Sequence, residues 1–257
     1  MQLRQRFVNE IAWVLAIERA SLLTWPAREI LPYSGWMLRF TDGLSYRPNS
    51  VAALDFNGVD VTAAIDAVER EYRSRGLKPT FQITPVTKPE GLAGVLAARG
   101  YVCVTPTLVC VADVEEVCSR CLPANDVQMQ THPNAGFDML AISGSRSPAD
   151  GRERLDVLSR ITVPHVRVTI VAHGIGVACG VGAAAKSRVG INLMRTHADY
   201  RRRGYARQVL KVIADWAVTQ GAGQLFLSVE EANTPARALY ESAGFVRAYS
   251  YCHYRKG

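Results

Sequence analysis

Apolar residues recur at helical spacing through Ile11, Val14, Leu15, Leu22 and Leu23, predicting a helix from Val8 to Trp25 that Pro26 stops. The period then changes. Gly35 to Phe40 and Leu44 to Leu54 read as strands joined by the turn Thr41-Asp42-Gly43. Asp60 to Arg75 is a predicted helix ending at Gly76, Phe81 to Thr84 a short strand, Pro89 to Arg99 a helix ending at Gly100, and Tyr101 to Val111 a strand. No periodicity survives from Asp113 to Asp126, where Pro123, Asn125 and Asp126 suggest a linker.

Beyond it the pattern resumes. Val166 to Ala172 and Val177 to Ala184 form a predicted hairpin across His173 to Gly176, and Gly190 to Thr196 reads as a third strand. Ala206 to Gln220 is an amphipathic helix with Ala206, Val209, Leu210, Ile213 and Ala217 on its buried stripe. Gln224 to Val229 is an almost wholly apolar strand, Pro235 to Ser242 a helix closed by Gly244, and Val246 to Tyr254 a final strand.

The second half repeats the first. The helix-ending glycines Gly76 and Gly221 differ by 145 positions, and Gly100 and Gly244 by 144. Strands alternating with helices in this order predict an α/β (α+β) chain with mixed sheets and helices on both faces. The expected division is a first domain over 1–115, a linker over 116–126 and a second domain over 127–257, since 257 residues exceed the ~100 to 150 of an ordinary domain.

Composition narrows the class. With 48% hydrophobic and 21% charged residues the chain belongs with globular proteins. No run reaches the ~20 apolar residues of a membrane helix, and Arg4, Arg6 and Glu10 stand where a secretory signal would be apolar, so no membrane and a cytoplasmic location are expected. Cys103, Cys110, Cys118, Cys121, Cys179 and Cys252 lack the spacing of a disulfide scaffold, and free thiols are expected. Cys118 and Cys121 have zinc-knuckle spacing without a second ligand pair, so no metal is expected. The net charge of +7 is spread along the chain without a basic stripe carrying aromatics, so no nucleic acid is expected as a partner.

The densest chemistry lies between Gly190 and Gln208. An apolar strand runs into Thr196-His197-Ala198-Asp199-Tyr200, then Arg201-Arg202-Arg203-Gly204-Tyr205-Ala206, then the amphipathic helix. A strand, loop and helix of this kind aim backbone amides and the positive end of the helix dipole at one point, which suits an anion. Gly204 lets the backbone approach a ligand, Ala206 keeps the first turn thin, and the arginines add forks for phosphate oxygens.

A second motif follows, from Leu227-Ser228-Val229-Glu230-Glu231-Ala232-Asn233-Thr234-Pro235-Ala236 to Arg237-Ala238-Leu239-Tyr240-Glu241-Ser242-Ala243-Gly244-Phe245. Together the two motifs resemble the GNAT superfamily of N-acetyltransferases, in order, separation and secondary elements. The resemblance covers the half from Val127 to Gly257. It implies twisted, mostly antiparallel mixed sheets and acetyl-CoA as co-substrate. Arg201, Arg202, Arg203, Gly204, Tyr205 and Ala206 would bind the pyrophosphate of coenzyme A. Met194 and Thr196 match the strand positions that hold the acyl carbonyl and pantetheine arm, Asn233 a cofactor-binding amide, Ala236 a small position beside it, and Tyr240 the general acid.

An amine attacking a thioester builds negative charge on oxygen and then on sulfur, and a tyrosine hydroxyl can protonate the departing sulfur. The amine must first be neutral. Gly190-Ile191-Asn192-Leu193 carries no carboxylate where some relatives place a base, leaving Glu230, His197 and His253, with Glu230 favoured. The expected reaction is direct transfer to a primary amine, with a small-molecule acceptor read by the segment around Asn134 to Ile161. The protein would act as a monomer or homodimer. The alternative is a non-catalytic acyl-CoA-binding sensor or interaction module.

The first half resembles a degenerate GNAT copy. Leu96 stands at the register of Tyr240, and the acidic Leu54-Asp55-Phe56-Asn57-Gly58-Val59-Asp60 stands where the arginine loop should lie. It is expected to bind no cofactor and to wall the acceptor cleft. Trp25, Trp36 and Tyr46 are expected to pack in the core, with lining of that cleft as the alternative.

Overall fold

In the computed structural model, which describes residues 11–123 and 125–256, the first helix is α1 (Ile11–Thr24). Arg4, Arg6, Val8 and Glu10, the predicted start of that helix and its charged approach, lie outside the described residues. β1 (Glu29–Tyr33) and β2 (Trp36–Phe40) form a hairpin across Ser34 and Gly35, both in the left-handed region at φ 48° and 86°. Two consecutive residues of that kind match the twist of the flanking strands.

The hairpin predicted across Thr41-Asp42-Gly43 is therefore absent. Between Leu44 and Leu54 only β3 (Val51–Ala52) is a strand. The reason is a buried carboxylate from the other half of the chain. Glu153 accepts the backbone amides of Asp42, Leu44 and Ser45 at 3.0, 3.1 and 2.7 Å, the Asn49 amide at 2.7 Å and the Thr41 hydroxyl. A loop whose amides are satisfied this way has no need of a ladder.

The chain continues through α2 (Val61–Ser74), β4 (Thr80–Ile83), α3 (Leu92–Ala98) and β5 (Tyr101–Asp113). Helix α4 (Val114–Arg120) follows where the linker was expected. It buries Val114 and Val117 and has acidic Glu115 and Glu116 at its start and Arg120 at its end, as the helix dipole favours. β6 (Val127–Gln130), α5 (Ala135–Ile142) and α6 (Pro148–Ser159) lead into β7 (His165–Ala172), β8 (Ile175–Ala185) and β9 (Arg188–Thr196). The chain ends with α7 (Tyr205–Thr219), β10 (Gln224–Glu230), α8 (Thr234–Ser242) and β11 (Val246–Lys256).

All eleven strands join one mixed sheet, in the order β1-β2-β3-β4-β11-β5-β10-β9-β8-β7-β6, where a separate sheet in each half was expected. At its centre the halves interleave. β5 follows α3 in the first half but pairs with β10 and β11 of the second, while β11 pairs with β4 of the first. Both faces of these strands are covered, as their apolar runs require. Leu108, Cys110 and Ala112 of β5 pack with α4, α7 and α8, while Val109 and Val111 face Trp13, Val14 and Ile17 of α1 on the other side. Helix α7 buries Val209, Leu210, Ile213 and Ala217. Predicted with them, Ala206 is only half-buried, since the first turn overhangs the sheet edge.

The thiols also differ from expectation. Cys103 of β5 and Cys252 of β11 face each other with Cα atoms 5.8 Å apart and are disulfide-bonded, across a sequence separation of 149. Strand pairing brings them together, so spacing in the sequence gives no sign of it. Cys110, Cys118, Cys121 and Cys179 are free. No helix among the described residues is long and apolar enough to cross a membrane.

Candidate active site

β9 and β10 run parallel and in register only as far as Ile191 and Leu227. Beyond that point they diverge, β9 continuing to Thr196 beside β8 and β10 to Glu230 beside β5. The divergence has a local cause. Between Cys179 and Val181 the β8–β9 register slips, and Leu193 sits at φ 52°, a conformation that costs an L residue and turns the strand. Gly180 opposite makes room, because a Cβ there would fall 2.6 Å from the Met194 sulfur and 2.8 Å from Val209. The result is a slot between two strands whose facing backbone groups no longer pair.

The loop after β9 opens into the same slot. Arg202 and Gly204 are left-handed at φ 63° and 85°, so Gly204 presents no Cβ and caps α7 with no side chain. The first backbone bonds of the helix are donated by Arg207 and Gln208 to the Gly204 carbonyl. The amides of residues 202–206 have no partner among the described residues. Unpaired amides at a helix start are donors for an anion.

Across the slot, Asn233 caps α8 by accepting the Ala236 amide at 3.2 Å. One turn further on, Tyr240 is buried, edge-on to Phe245 with ring centroids 5.8 Å apart. Burial pushes its hydroxyl up to about 12, with the nearby Arg195 charge pulling the other way. Tyr240 therefore carries its proton through the neutral range and beyond. Glu230 ends β10 in an exposed position and its carbonyl accepts the Asn233 amide at 2.9 Å.

A cleft of about 1460 Å³ gathers Met194, Thr196, Arg201, Arg202, Gly204, Tyr205, Ala206, Glu230, Asn233, Ala236 and Tyr240. Arg203 is outside it, with its guanidinium over the Tyr200 ring at 5.2 Å. His197 is likewise outside, exposed beside Asp199. Among the aromatic candidates of the first half, Trp25 and Tyr46 line the cleft. Trp36 does not: it is fully buried between Phe56 and Phe81 and donates its indole N–H to the Lys88 carbonyl at 2.8 Å.

Four arginines reach the cleft without a sequence signal that names them, and His253, one of the candidate bases, reaches it too. Arg47 donates to the Asn192 side chain at 3.2 Å and lies over Trp25 at 5.8 Å. Arg195, Arg146 and Arg154 line the same end. His253 of β11 is buried between Tyr46 and Tyr251, and neither ring nitrogen has a hydrogen-bond partner among the described residues. Burial, reinforced by Arg39 and Arg47, lowers it from 6.5 to about 3, so the imidazole is neutral at pH 7. Its neighbours come from both halves of the chain, and only the strand exchange brings them together.

Residues 12–254 match the family described as "Probable histone acetyltransferase Rv0428c C-terminal". The chain is 27% identical over 248 residues to the "Uncharacterized N-acetyltransferase YobR" of Bacillus subtilis, covering 93% of this chain and 96% of that one. It is 26% identical over 251 residues to the "Probable histone acetyltransferase Rv0428c" of Mycobacterium tuberculosis, covering 95% of this chain and 74% of that one. Among solved structures, a GCN5-related N-acetyltransferase from Kribbella flavida superposes with a TM-score of 0.69 at 16% identity, over 94% of this chain and 95% of the other.

Proposed function

Because the chain belongs to the Rv0428c C-terminal family and has the fold of GNAT acetyltransferases, we propose that it transfers the acetyl group of acetyl-CoA to a primary amine of a small molecule. The observation that carries this reading is the junction of two features in one cleft: the unpaired amides of residues 202–206 and the buried, protonated Tyr240.

The donor set fits the proposed co-substrate. The amides at Arg202 to Ala206, with Arg201 and Arg202, would hold the pyrophosphate, and the diverging edges of β9 and β10 would take the extended arm, with Met194, Thr196, Asn233 and Ala236 along it. Bound there, acetyl-CoA supplies an activated carbonyl and a thiolate leaving group. Free backbone N–H groups on β9 can bond the carbonyl oxygen as it gains charge, and Tyr240 can give its proton to the departing sulfur. Arg195 favours this role, since its positive charge opposes the rise that burial imposes on Tyr240. The acceptor amine attacks directly in a ternary complex. Glu230 remains the proposed base at the mouth of the cleft, where its exposure lets it pass a proton to solvent.

In the same reading, residues 1–115 and 127–257 are two copies of one unit joined through 116–126, the first without a cofactor site. Support comes from the strand order β4-β11-β5-β10, in which strands of the two halves alternate and which reads the same from either end when β4 is matched with β10 and β5 with β11. The test is coenzyme A release with a panel of primary amines, read beside acetyl-CoA binding. Acetyl-CoA-dependent product with one class of amine is expected; tight binding with no turnover on any amine would favour the non-catalytic sensor instead.

A further inference from the structure

The end of the cleft away from the α7 N-terminus is lined by four arginines from three segments. Arg47 comes from the loop between β2 and β3, Arg146 and Arg154 from the start of α6 and its second turn, and Arg195 from β9. Arg195 reaches under the loop between α5 and α6, close against Gly144.

The carboxylates nearby are already engaged. Buried Asp150 pairs with Arg154 at 3.2 Å and with Arg146 at 3.7 Å, and Glu153 is taken up by the loop amides of 42–45. Arg47 and Arg195 form no ion pair among the described residues. Each is instead fixed by a neutral partner: Arg47 by the Asn192 side chain and the Trp25 ring, Arg195 by the Met194 carbonyl at 2.9 Å. The Nε of Arg195 is buried and bonds to nothing. The carboxylates that do line the cleft, Glu230 and Glu231, stand at the far side, where β10 turns into α8.

Two half-buried guanidinium groups held in place, acted on through space by buried Glu18 and Asp150 but in ion-pair contact with no carboxylate among the described residues, form a site for an anionic oxygen group. We propose, on the premise that this cleft acetylates amines, that the acceptor is itself anionic. Its carboxylate or phosphate binds Arg47 and Arg195, and this places its amine in front of Tyr240. A lysine in a basic peptide or a polycationic amine brings charge of the wrong sign to this end of the cleft.

The arrangement also helps an amine become a nucleophile here, beside the part proposed for Glu230. Arginine charges close to an ammonium favour its neutral form. The proton released passes through water to Glu230 at the mouth of the cleft, while His253, held neutral beside Tyr46, adds no further charge to this end. The bond broken is the thioester C–S, the bond formed is the amide C–N. The ammonium gives up two protons in all: one goes to solvent, and the other balances the proton that Tyr240 gives to the sulfur.

The test uses the full chain with acetyl-CoA and matched acceptor pairs. One arm compares the common L-amino acids and ω-amino acids with their carboxamides. A second compares amino-sugar phosphates with the unphosphorylated amino sugars, which separates carboxylate from phosphate. A third uses a polyamine, an aminoglycoside and a lysine-rich histone-tail peptide. Turnover is expected with an anionic member of a pair, with kcat/KM at least ~10-fold above its neutral partner. Arg47→Gln should raise KM for that acceptor by ~10- to 100-fold and erase the preference, while the acetyl-CoA Kd stays unchanged. Arg47→Lys should recover part of it. Equal turnover within pairs, preference for the cationic arm, or silence across the anionic arms with acetyl-CoA bound would overturn the proposal. Failure of acetyl-CoA to bind would instead remove the premise.

Discussion

At the start of α7, Gly204 is left-handed, no side chain caps the helix and the amides of 202–206 are unpaired. At the start of α2, in the first half of the chain, Asp60 accepts the Thr62 and Ala63 amides at 2.8 and 3.3 Å through its side chain, and the Ala64 amide at 3.1 Å through its carbonyl. The neighbouring slots differ in the same sense. Past Ile191 and Leu227 the strands β9 and β10 part, with no further backbone pairing between them among the described residues. Past Ala52 and Gln82, where β3 and β4 stop pairing, the chain itself fills the gap: the Lys88 amide bonds the Ala53 carbonyl at 2.8 Å and the Lys88 carbonyl takes the Trp36 indole. A parallel strand pair and a helix start thus leave an open slot in one region and a piece of core in the other, according to whether the protein satisfies its own polar groups.

Changes that close the open junction should have the largest effects. Tyr240→Phe keeps the packing and removes the proton, so kcat should fall by ~10²- to 10⁴-fold with the acetyl-CoA Kd nearly unchanged. The same residue sets a pH expectation. Since burial holds its hydroxyl near 12, the wild-type rate should not fall on the alkaline side below about pH 10, whereas an unshifted tyrosine near 10 would already be losing its proton. Steady-state profiles from pH 6 to 10 check this.

Gly204→Glu brings a Cβ into the left-handed region and a negative charge to the anion cradle. Acetyl-CoA affinity should drop ~10²- to 10³-fold, read by calorimetry. Glu153→Ala leaves the amides of Asp42, Leu44 and Ser45 without their acceptor and lets the loop carrying Tyr46 and Arg47 drift. Chemical denaturation should show a loss of about 3 kcal/mol or more, and acceptor KM should rise with it. At the closed junction, Asp60→Ala should cost about 1 kcal/mol and no activity, since Trp36 and Lys88 still fill the slot.

These residues also show what a sequence discloses. The cradle from Arg201 to Ala206 and the turn from Asn233 to Tyr240 are local: a strand end, a glycine and a helix start lie within a few residues, so order and spacing carry the geometry. The failures are long-range. Leu44 looks like a strand position, and it is Glu153, more than a hundred residues away, that makes the stretch from Asp42 to Ser45 a loop. Val114 to Arg120 is too short to display a period, although Glu115, Glu116 and Arg120 mark the ends of a helix. The apolar alternation of β5 and β11 predicts strands but not their partners, so the exchange between halves, the Cys103 to Cys252 bond and the approach of Arg47 to Asn192 were all invisible.

The most direct test is calorimetric titration of acetyl-CoA into the wild type, into Gly204→Glu, and into a variant with residues 54–60 replaced by glycine and serine. One site per chain, lost in Gly204→Glu and retained in the loop variant, is the predicted result. Two sites per chain, or binding indifferent to Gly204→Glu, would contradict the division between an open and a closed junction.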